Sequence, residues 1–562
     1  MRSISLKIIA LCGFCVLLGC NNEPEKPNVI FFIVDDMYPE MFNNIAAGVT
    51  TSGAPANLTP AIDRLALEGV WLDNMKVVSP VCTPSRYSCL TGNYASRATN
   101  ESFLKTTSSN DGQKVVQWNS FIVPGGQKTM GHYFKELGYN TGFVGKNHVI
   151  ESSSQEKKYP AINLAADPYD SLVKKRLEDK YEKLQEDIRN CGFDYADALY
   201  HNNPNWLGVR KLASHNMDWI TEKGLEFIDQ NKSEPFMLYF ATTLPHGPHI
   251  PERSWMSDRR ITPKGILEKA PDVLPRHEGI IDKYYQELMK GDPGLEPTYR
   301  NVMSLKVRLR QKGLRDREKE NLLWLDDALS ALFAKLEQEE LLDNTIIVFF
   351  NDHGQELKGS LYEKGINSEA FIWRSGGFKV GNVLETPVSN VDFLPTLLEY
   401  AGYKGAADFD GYSFKSALEK KKYKERAAMY HELGYARAIV KDGFKYYTVR
   451  YPESGRDLSY KKRKAILDEY NRFKERNGRP VINTDPNKPF GQLVMVPGGD
   501  WAECEAYTNM PHFFEPDQFY DLTNDPEEKH NLIDDPKYAD KIKELKEELK
   551  KRVNDLESNY EI

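Results

Sequence analysis

Apolar residues fall into two kinds of run along this chain. Short unbroken runs rich in β-branched and aromatic residues mark strands buried on both faces. Residues 28–34 (NVIFFIV), 235–242 (PFMLYFAT) and 343–350 (DNTIIVFF) are of this kind, and 139–145 also reads as a strand. Elsewhere apolar residues recur every three or four positions, the spacing of one helix face. Such faces run through 58–69 (Ile62, Leu65, Ala66), 128–138 (Met130, Tyr133, Phe134, Leu137), 217–229 and 321–341 (Leu325, Leu329, Leu332, Phe333, Leu336). Thr59 and Pro60 suit the start of the first helix, and Gly69 its stop. Strands alternating with helices predict an α/β fold for the first 400 residues.

From about Tyr403 the alternation fades. Residues 437–447 read as a hairpin centred on Lys441, Asp442 and Gly443. Ile542, Leu545, Leu549 and Val553 stripe a terminal helix. A catalytic domain over 27–402 and a smaller α+β domain over 403–562 follow. Residues 151–191 are polar and charged, an insertion with a solvated face. Residues 257–317 read as irregular with short helices, and there are no internal repeats.

The chain has 562 residues, 40% hydrophobic, and a net charge of -8. That argues against a nucleic-acid partner but leaves room for a basic pocket that takes an anionic substrate. Residues 1–20 form a targeting segment, with Arg2 and Lys7 before an apolar run too short to span a bilayer. The run ends in LLGC at Cys20, which resembles a bacterial lipobox. The resemblance implies cleavage before Cys20, lipidation of its thiol and a lipid anchor in the cell envelope, periplasmic or surface-exposed. Residues 21–27 are then a polar tether. Of seven cysteines, Cys82, Cys89, Cys191 and Cys504 lie beyond the leader and show no zinc spacing, which leaves a disulfide among them open.

Candidate chemistry gathers where strands end. Asp35 and Asp36 follow the first apolar run, and Asn351, Asp352, His353 and Gly354 follow the run at 343–350. Adjacent carboxylates repel unless a cation neutralises them, and sites in open α/β sheets lie beyond the carboxyl ends of strands. Lys146 and His148 follow 139–145, and LPHGPH, with His246 and His249, follows 235–242. Residues 79–97 read SPVCTPSRYSCLTGNYASR. Thr83 is a good N-cap and Pro84 suits a first helical turn, so Cys82 is expected just before a helix N-terminus, where anions are favoured.

The pattern Cys82-x-Pro84-Ser85-Arg86 with Leu90-Thr91-Gly92 resembles the signature of the type I sulfatases. GYNTGFVGKNH, the His246–Pro248 stretch, Asp352–Gly354, KGSLYEKG at 358–365, 392–402 and the C-terminal FYDLTNDPEEKHNL resemble further elements of that family, in order. The resemblance implies an alkaline-phosphatase-like mixed sheet sandwiched by helices, with a smaller C-terminal α+β domain. It implies hydrolysis of a sulfate ester of a carbohydrate by a formylglycine, which a maturation enzyme makes from Cys82. It implies one divalent cation, calcium, on Asp35, Asp36, Cys82, Asp352 and His353. Arg86, Lys146 and Lys358 would offset negative charge. Lys146, His246 and Lys358 would touch substrate. His246 would serve as acid for the leaving alcohol, and His148 would orient or deprotonate the formylglycine hydrate.

Two other classes were weighed against this one. Related phosphoester hydrolases place serine or threonine where Cys82 stands, and cysteine phosphatases space Cys and Arg more widely. An inactive glycan-binding protein of the same fold would not need every polar motif residue.

Overall fold

The computed structural model describes residues 26–562 except 52, 54, 58, 153–164, 205–208, 255–256, 272–315, 406–407, 424 and 489–498. Cys20 and its expected lipidation lie outside the described residues, as does most of the stretch at 257–317.

Eight strands build the main sheet. In chain order they are β1 (Asn28–Asp35), β2 (Val70–Leu72), β3 (Asn140–Lys146), β4 (Tyr195–Tyr200), β5 (Phe236–Pro245), β6 (Thr345–Asn351), β7 (Ala370–Arg374) and β8 (Val383–Leu384). Their order in space is β8-β2-β7-β6-β1-β5-β3-β4. β7 runs antiparallel to both neighbours, and the other pairs are parallel. β6, β1, β5, β3 and β4 therefore all end on the same edge.

The central strands are buried on both faces, as their unbroken apolar runs require: Val29 to Val34 have no exposed surface. Phe31 stacks on Tyr239, and Phe32 on Phe240 and Phe349, so aromatic rings tie β1 to β5 and β6. The helices that matter here are α1 (Pro60–Glu68), α2 (Cys82–Thr91), α3 (Met130–Glu136), α4 (Ser171–Arg189), α5 (Met217–Asn231), α6 (Asp316–Gln338), α7 (Phe393–Tyr400) and α8 (Ala539–Asp555). α1 and α5 pack on α6, while α2, α3 and α7 pack together. Phe31 meets Phe393 of α7. Phe32, one residue on, points to the opposite face. Every residue of α2 is buried.

Three local readings change. β4 and β7 were not anticipated: YADALY lacks a continuous apolar run, and β4 carries a bulge in which Ala198 takes φ +51°. The charged stretch before it holds a long helix, α4, which buries Leu177, Tyr181, Leu184 and Ile188, with Asp187 beside them, and turns most of its charges outward. Thr59 is the N-cap residue of α1, but its side chain does not cap. Asp326 of α6 accepts instead from the Ala61 and Ile62 N–H groups, at 3.1 and 2.9 Å.

Beyond α7 the chain forms a four-stranded antiparallel sheet of β9 (Met429–Leu433), β10 (Ala436–Lys441), β11 (Phe444–Val449) and β12 (Asp517–Asp521). The expected hairpin is β10–β11, turned by Asp442 (φ +52°) and Gly443 (φ +77°). α8 lays Ile542, Leu545, Leu549 and Val553 against Tyr446 and Phe519. This sheet docks on the catalytic half through Glu432, whose N–H donates to Val78 O at 2.9 Å.

A buried ionic cluster reinforces the joint. Lys445 of β11 reaches Glu363 at 2.9 Å and Glu528 at 2.7 Å, donates to Leu361 O at 2.9 Å, and Lys76 holds the other oxygen of Glu363. The cluster clamps the loop after β6 that carries Lys358. Lys445→Met would leave two buried carboxylates facing each other, so a loss of about 3–5 kcal/mol is expected in urea unfolding. A loss under about 1 kcal/mol would mean the cluster does not hold this joint.

Candidate active site

Each parallel strand delivers a polar side chain beyond its carboxyl end. β1 ends in Asp35, and Asp36 follows with φ +66°, a left-handed conformation that aspartate tolerates better than most residues. β6 ends in Asn351, followed by Asp352 and His353. The Asn351 amide stitches these two exits together. It accepts from Met37 N–H at 3.0 Å and donates to Met37 O and His353 O at 3.0 and 2.8 Å. β3 ends in Lys146, and His148 follows with φ +51°. The β3 exit continues along the β4 exit, with Asn147 and His148 N–H donating to Tyr200 O and His201 O. β5 ends in Pro245, and His246 follows.

Cys82 is the first residue of α2, not the residue before it. Val81 is the N-cap, and Ser85 N–H returns to Val81 O at 3.2 Å. Thr83 therefore lies inside the first turn and caps nothing, while Pro84 sits where its missing N–H costs no helical bond. The helix is fixed to β6 by Ser85, whose hydroxyl donates to Asp352 O at 2.5 Å. Asn390 Nδ2 donates in turn to Ser85 O at 3.1 Å.

The side chains converge on Cys82. Its Sγ lies 3.4 Å from Asp35 Oδ1, 3.5 Å from His353 Nε2 and 3.7 Å from Lys358 Nζ. Lys146 is bonded to the other Asp35 oxygen, and Lys358 Nζ lies 2.6 Å from Asp36 Oδ1. Arg86 Nη2 is 3.3 Å from Asp352 Oδ2 and 3.8 Å from Asp35 Oδ1. His246 Nε2 is 3.3 Å from Asp36 Oδ2. His148 joins by field rather than by contact. Its Nδ1 is buried without a hydrogen-bond partner among the described residues, and burial, with Lys146 nearby, keeps the ring neutral. His249 is half-buried in the same loop as His246. Cys89 is buried farther along α2, and all four cysteines of the described residues are free thiols.

Two buried carboxylates, Asp35 and Asp352, and the half-buried Asp36 face three cations. Burial pushes the Asp35 carboxyl up, but Lys146, His246 and Arg86 outweigh it and hold the group well below the usual carboxylate range. Asp36 is held low in the same way, chiefly by Lys358 against burial. Asp352 goes the other way: burial raises it, and His353 and Arg86 do not compensate. Burial also lifts the Cys82 thiol well above its ordinary value, with Asp35 and Asp352 adding to the shift against Lys358.

The residues fit a divalent cation. Asp36, Cys82, Asp352 and His353 each offer an atom, and these lie within 4.8 Å of one another. Asp35 adjoins them through Cys82. His353 Nδ1 donates to Gly354 O at 3.2 Å, which leaves the lone pair of a neutral ring on Nε2. That lone pair faces Asp36 Oδ1 at 3.2 Å and Asp352 Oδ1 at 3.5 Å, acceptors that need a cation or a proton between them and it.

A family model described as Sulfatase matches residues 27–403, more than half of the chain. The chain belongs to the sulfatase family. Among relatives of this sulfatase, an N-acetylglucosamine-6-O-sulfatase of Bacteroides thetaiotaomicron is 24% identical, over 75% of this chain and 77% of its own length. An ulvan-active sulfatase of Formosa agariphila is 22% identical, over 100% of this chain and 89% of its own. A solved structure described as holding its substrate D-glucosamine-2-N,6-O-disulfate shares the fold, with a TM-score of 0.54. It is 18% identical, and the match covers 95% of this chain and 99% of that one.

Sequence reasoning missed the polar residues that hold this sulfatase's site in shape. Asn351 was noticed only as a neighbour of Asp352, and Asn390 and Asn203 not at all. Asn203 lies in the loop after β4, and the failure to see that strand hid the loop. The signal available was an asparagine pair, Asn202 and Asn203, beside His201 and before Pro204.

The cation reading has a direct thermodynamic check. Calcium or magnesium at a hundredfold excess over its dissociation constant is expected to stabilise the wild type by about 2.7 kcal/mol. Asp352→Ala and Asp36→Ala should fold yet lose this response to added cation. An unchanged melting temperature of the wild type at millimolar calcium and magnesium would remove the metal assignment.

Proposed function

We propose that this sulfatase removes sulfate from a carbohydrate, using a formylglycine made from Cys82 and one divalent cation, calcium. The observation that carries the reading is the setting of Cys82: a buried side chain at a helix start, its Sγ ringed by Asp35, His353 and Lys358. Burial and the Asp35 and Asp352 carboxylates oppose a thiolate at this position, which suits a reactive group other than the thiol. The carbohydrate rests on the relatives, whose names refer to ulvan and N-acetylglucosamine sulfate. Calcium rests on the three carboxylates, hard oxygen donors, although His353 is less typical of it.

Cys82 Sγ stands where an oxygen of the hydrated aldehyde would lie. That hydrate supplies one hydroxyl to attack sulfur and a second to release sulfate afterwards. Asp36, Asp352, His353 and Asp35 would hold the cation, which draws charge from a sulfate oxygen. Lys146, Lys358 and Arg86 already balance the three carboxylates, so with a divalent cation the pocket carries surplus positive charge for a sulfate ester. Lys358 Nζ, 3.7 Å from Sγ, is placed to hold both the hydrate and a sulfate oxygen. His246 gives a proton to the leaving alcohol oxygen as the S–O bond breaks. His148, neutral, accepts a proton from the hydrate as sulfate leaves.

The test is sulfate release from a panel of sulfated monosaccharides, run beside the matching phosphate esters. Turnover is expected on at least one sulfated sugar, with Cys82→Ala reduced at least about 10³-fold and Cys89→Ala unchanged. Preference for the phosphate esters would contradict the reading.

We also propose that Cys20 anchors the protein in the cell envelope. Wild-type protein should partition with membranes, and Cys20→Ala should stay soluble or uncleaved. A wholly soluble wild type whose N-terminus is not residue 20 would rule this out.

A further inference from the structure

Two turns bring ligands to the candidate cation site, and one side chain holds both. Asn351, the last residue of β6, is buried, and its own backbone is fixed first. Its N–H donates to Glu369 O at 3.0 Å, and the Ser368 hydroxyl donates to its carbonyl oxygen. From this anchor the amide crosses to the exit of β1. Its Oδ1 accepts from Met37 N–H at 3.0 Å, and its Nδ2 donates to Met37 O at 3.0 Å and to His353 O at 2.8 Å. The two ends of an amide have nearly the same shape, but here the backbone settles which is which. An N–H only donates and a carbonyl only accepts, so both amide hydrogens are committed to these turns.

We infer that Asn351 is a positioning residue that sets the affinity of this site for its divalent cation. It acts through the turns that carry the ligands rather than as a ligand. The inference rests on the cation reading of Asp36, Asp352 and His353 above. Met37 follows Asp36, whose φ of +66° is a conformation the surroundings must maintain. By engaging both backbone groups of Met37, the amide fixes the turn on the C-terminal side of Asp36. Its third bond fixes the carbonyl of His353. The groups so held converge, with His353 Nε2 3.2 Å from Asp36 Oδ1 and 3.5 Å from Asp352 Oδ1. The Asp36 and Asp352 carboxylates repel each other, which drives their two turns apart while no cation lies between them. The amide ties the turns together and adds no charge. Asn203, also buried at a strand exit, grips Lys146 at 2.7 Å instead of a turn that carries ligands.

The test needs no turnover. Calcium and magnesium are titrated by calorimetry into full-length protein stripped with EDTA, as wild type, Asn351→Ala and Asn351→Ser. Groups that orient metal ligands from behind contribute about 10–100-fold to affinity, and Asn351→Ala is expected to raise the dissociation constant by that factor. Asn351→Ser, with a single shorter donor, should raise it by less. A residue that only supports the fold would lower the melting temperature of the cation-free protein and leave the dissociation constant where it was. Dissociation constants within about threefold of the wild type in the folded variants would therefore overturn the inference. Should Asn351→Ala fail to fold, Asn351→Ser decides alone. If the wild type itself binds neither cation, the cation reading is wrong and the inference falls with it. If the wild type binds and the variants bind as well as it does, the cation reading stands and only the role of Asn351 is lost.

Discussion

Three carboxylates gathered at one point, two of them fully buried, are the constraint from which the rest of this structure follows. Asp35, Asp36 and Asp352 would not stay ionised together without compensation, because burial disfavours each charge and each raises the others. The fold supplies the compensation from separate directions. Lys146 arrives from β3, Lys358 from the loop after β6, and Arg86 from inside α2. Each must be placed to within an ångström or so, which accounts for the polar scaffolding behind them. The Asn351 amide joins two strand exits, Ser85 ties the helix to Asp352, and Lys445 clamps the Lys358 loop from the second sheet. The C-terminal sheet is in this sense part of the site, though it brings no group to Cys82.

Asp352 shows that the compensation is incomplete. Two carboxylates have a lysine each, while the third has a guanidinium at 3.3 Å and remains raised by burial. His353 Nε2 faces the same space. The protein alone leaves room for one more positive centre, and the donor set is one a divalent cation would accept.

Much of this was legible in the sequence where the physics is local. Continuous apolar runs mark β1, β5 and β6, β3 reads as a strand after a helix face, and the polar residues that follow these four mark the ends where Asp35, Lys146, His246 and Asp352 sit. The hairpin at Asp442–Gly443 was legible because its backbone requires residues that tolerate positive φ. What failed was non-local. Asp326 caps a helix 260-odd positions earlier in the chain, so Thr59 looked like the cap it is not. β4 lacks an apolar run and bulges at Ala198, and with it went the loop that carries Asn203. α2 starts two residues earlier than Thr83 and Pro84 suggest: a threonine before a proline is a good cap in isolation, whereas the first helical bond here runs from Ser85 N–H to Val81 O.

The central claim is that Cys82 does not act as a thiol. Its sulfur is buried, and a thiolate that did attack a sulfate ester would form a sulfur–sulfur bond with no easy exit. Mass spectrometry of the peptide spanning Cys82 to Arg86, taken from preparations of differing activity, tests this most directly. The result expected is an aldehyde at position 82 whose fraction rises in proportion to kcat. Full turnover from protein in which Cys82 is entirely unmodified would contradict it.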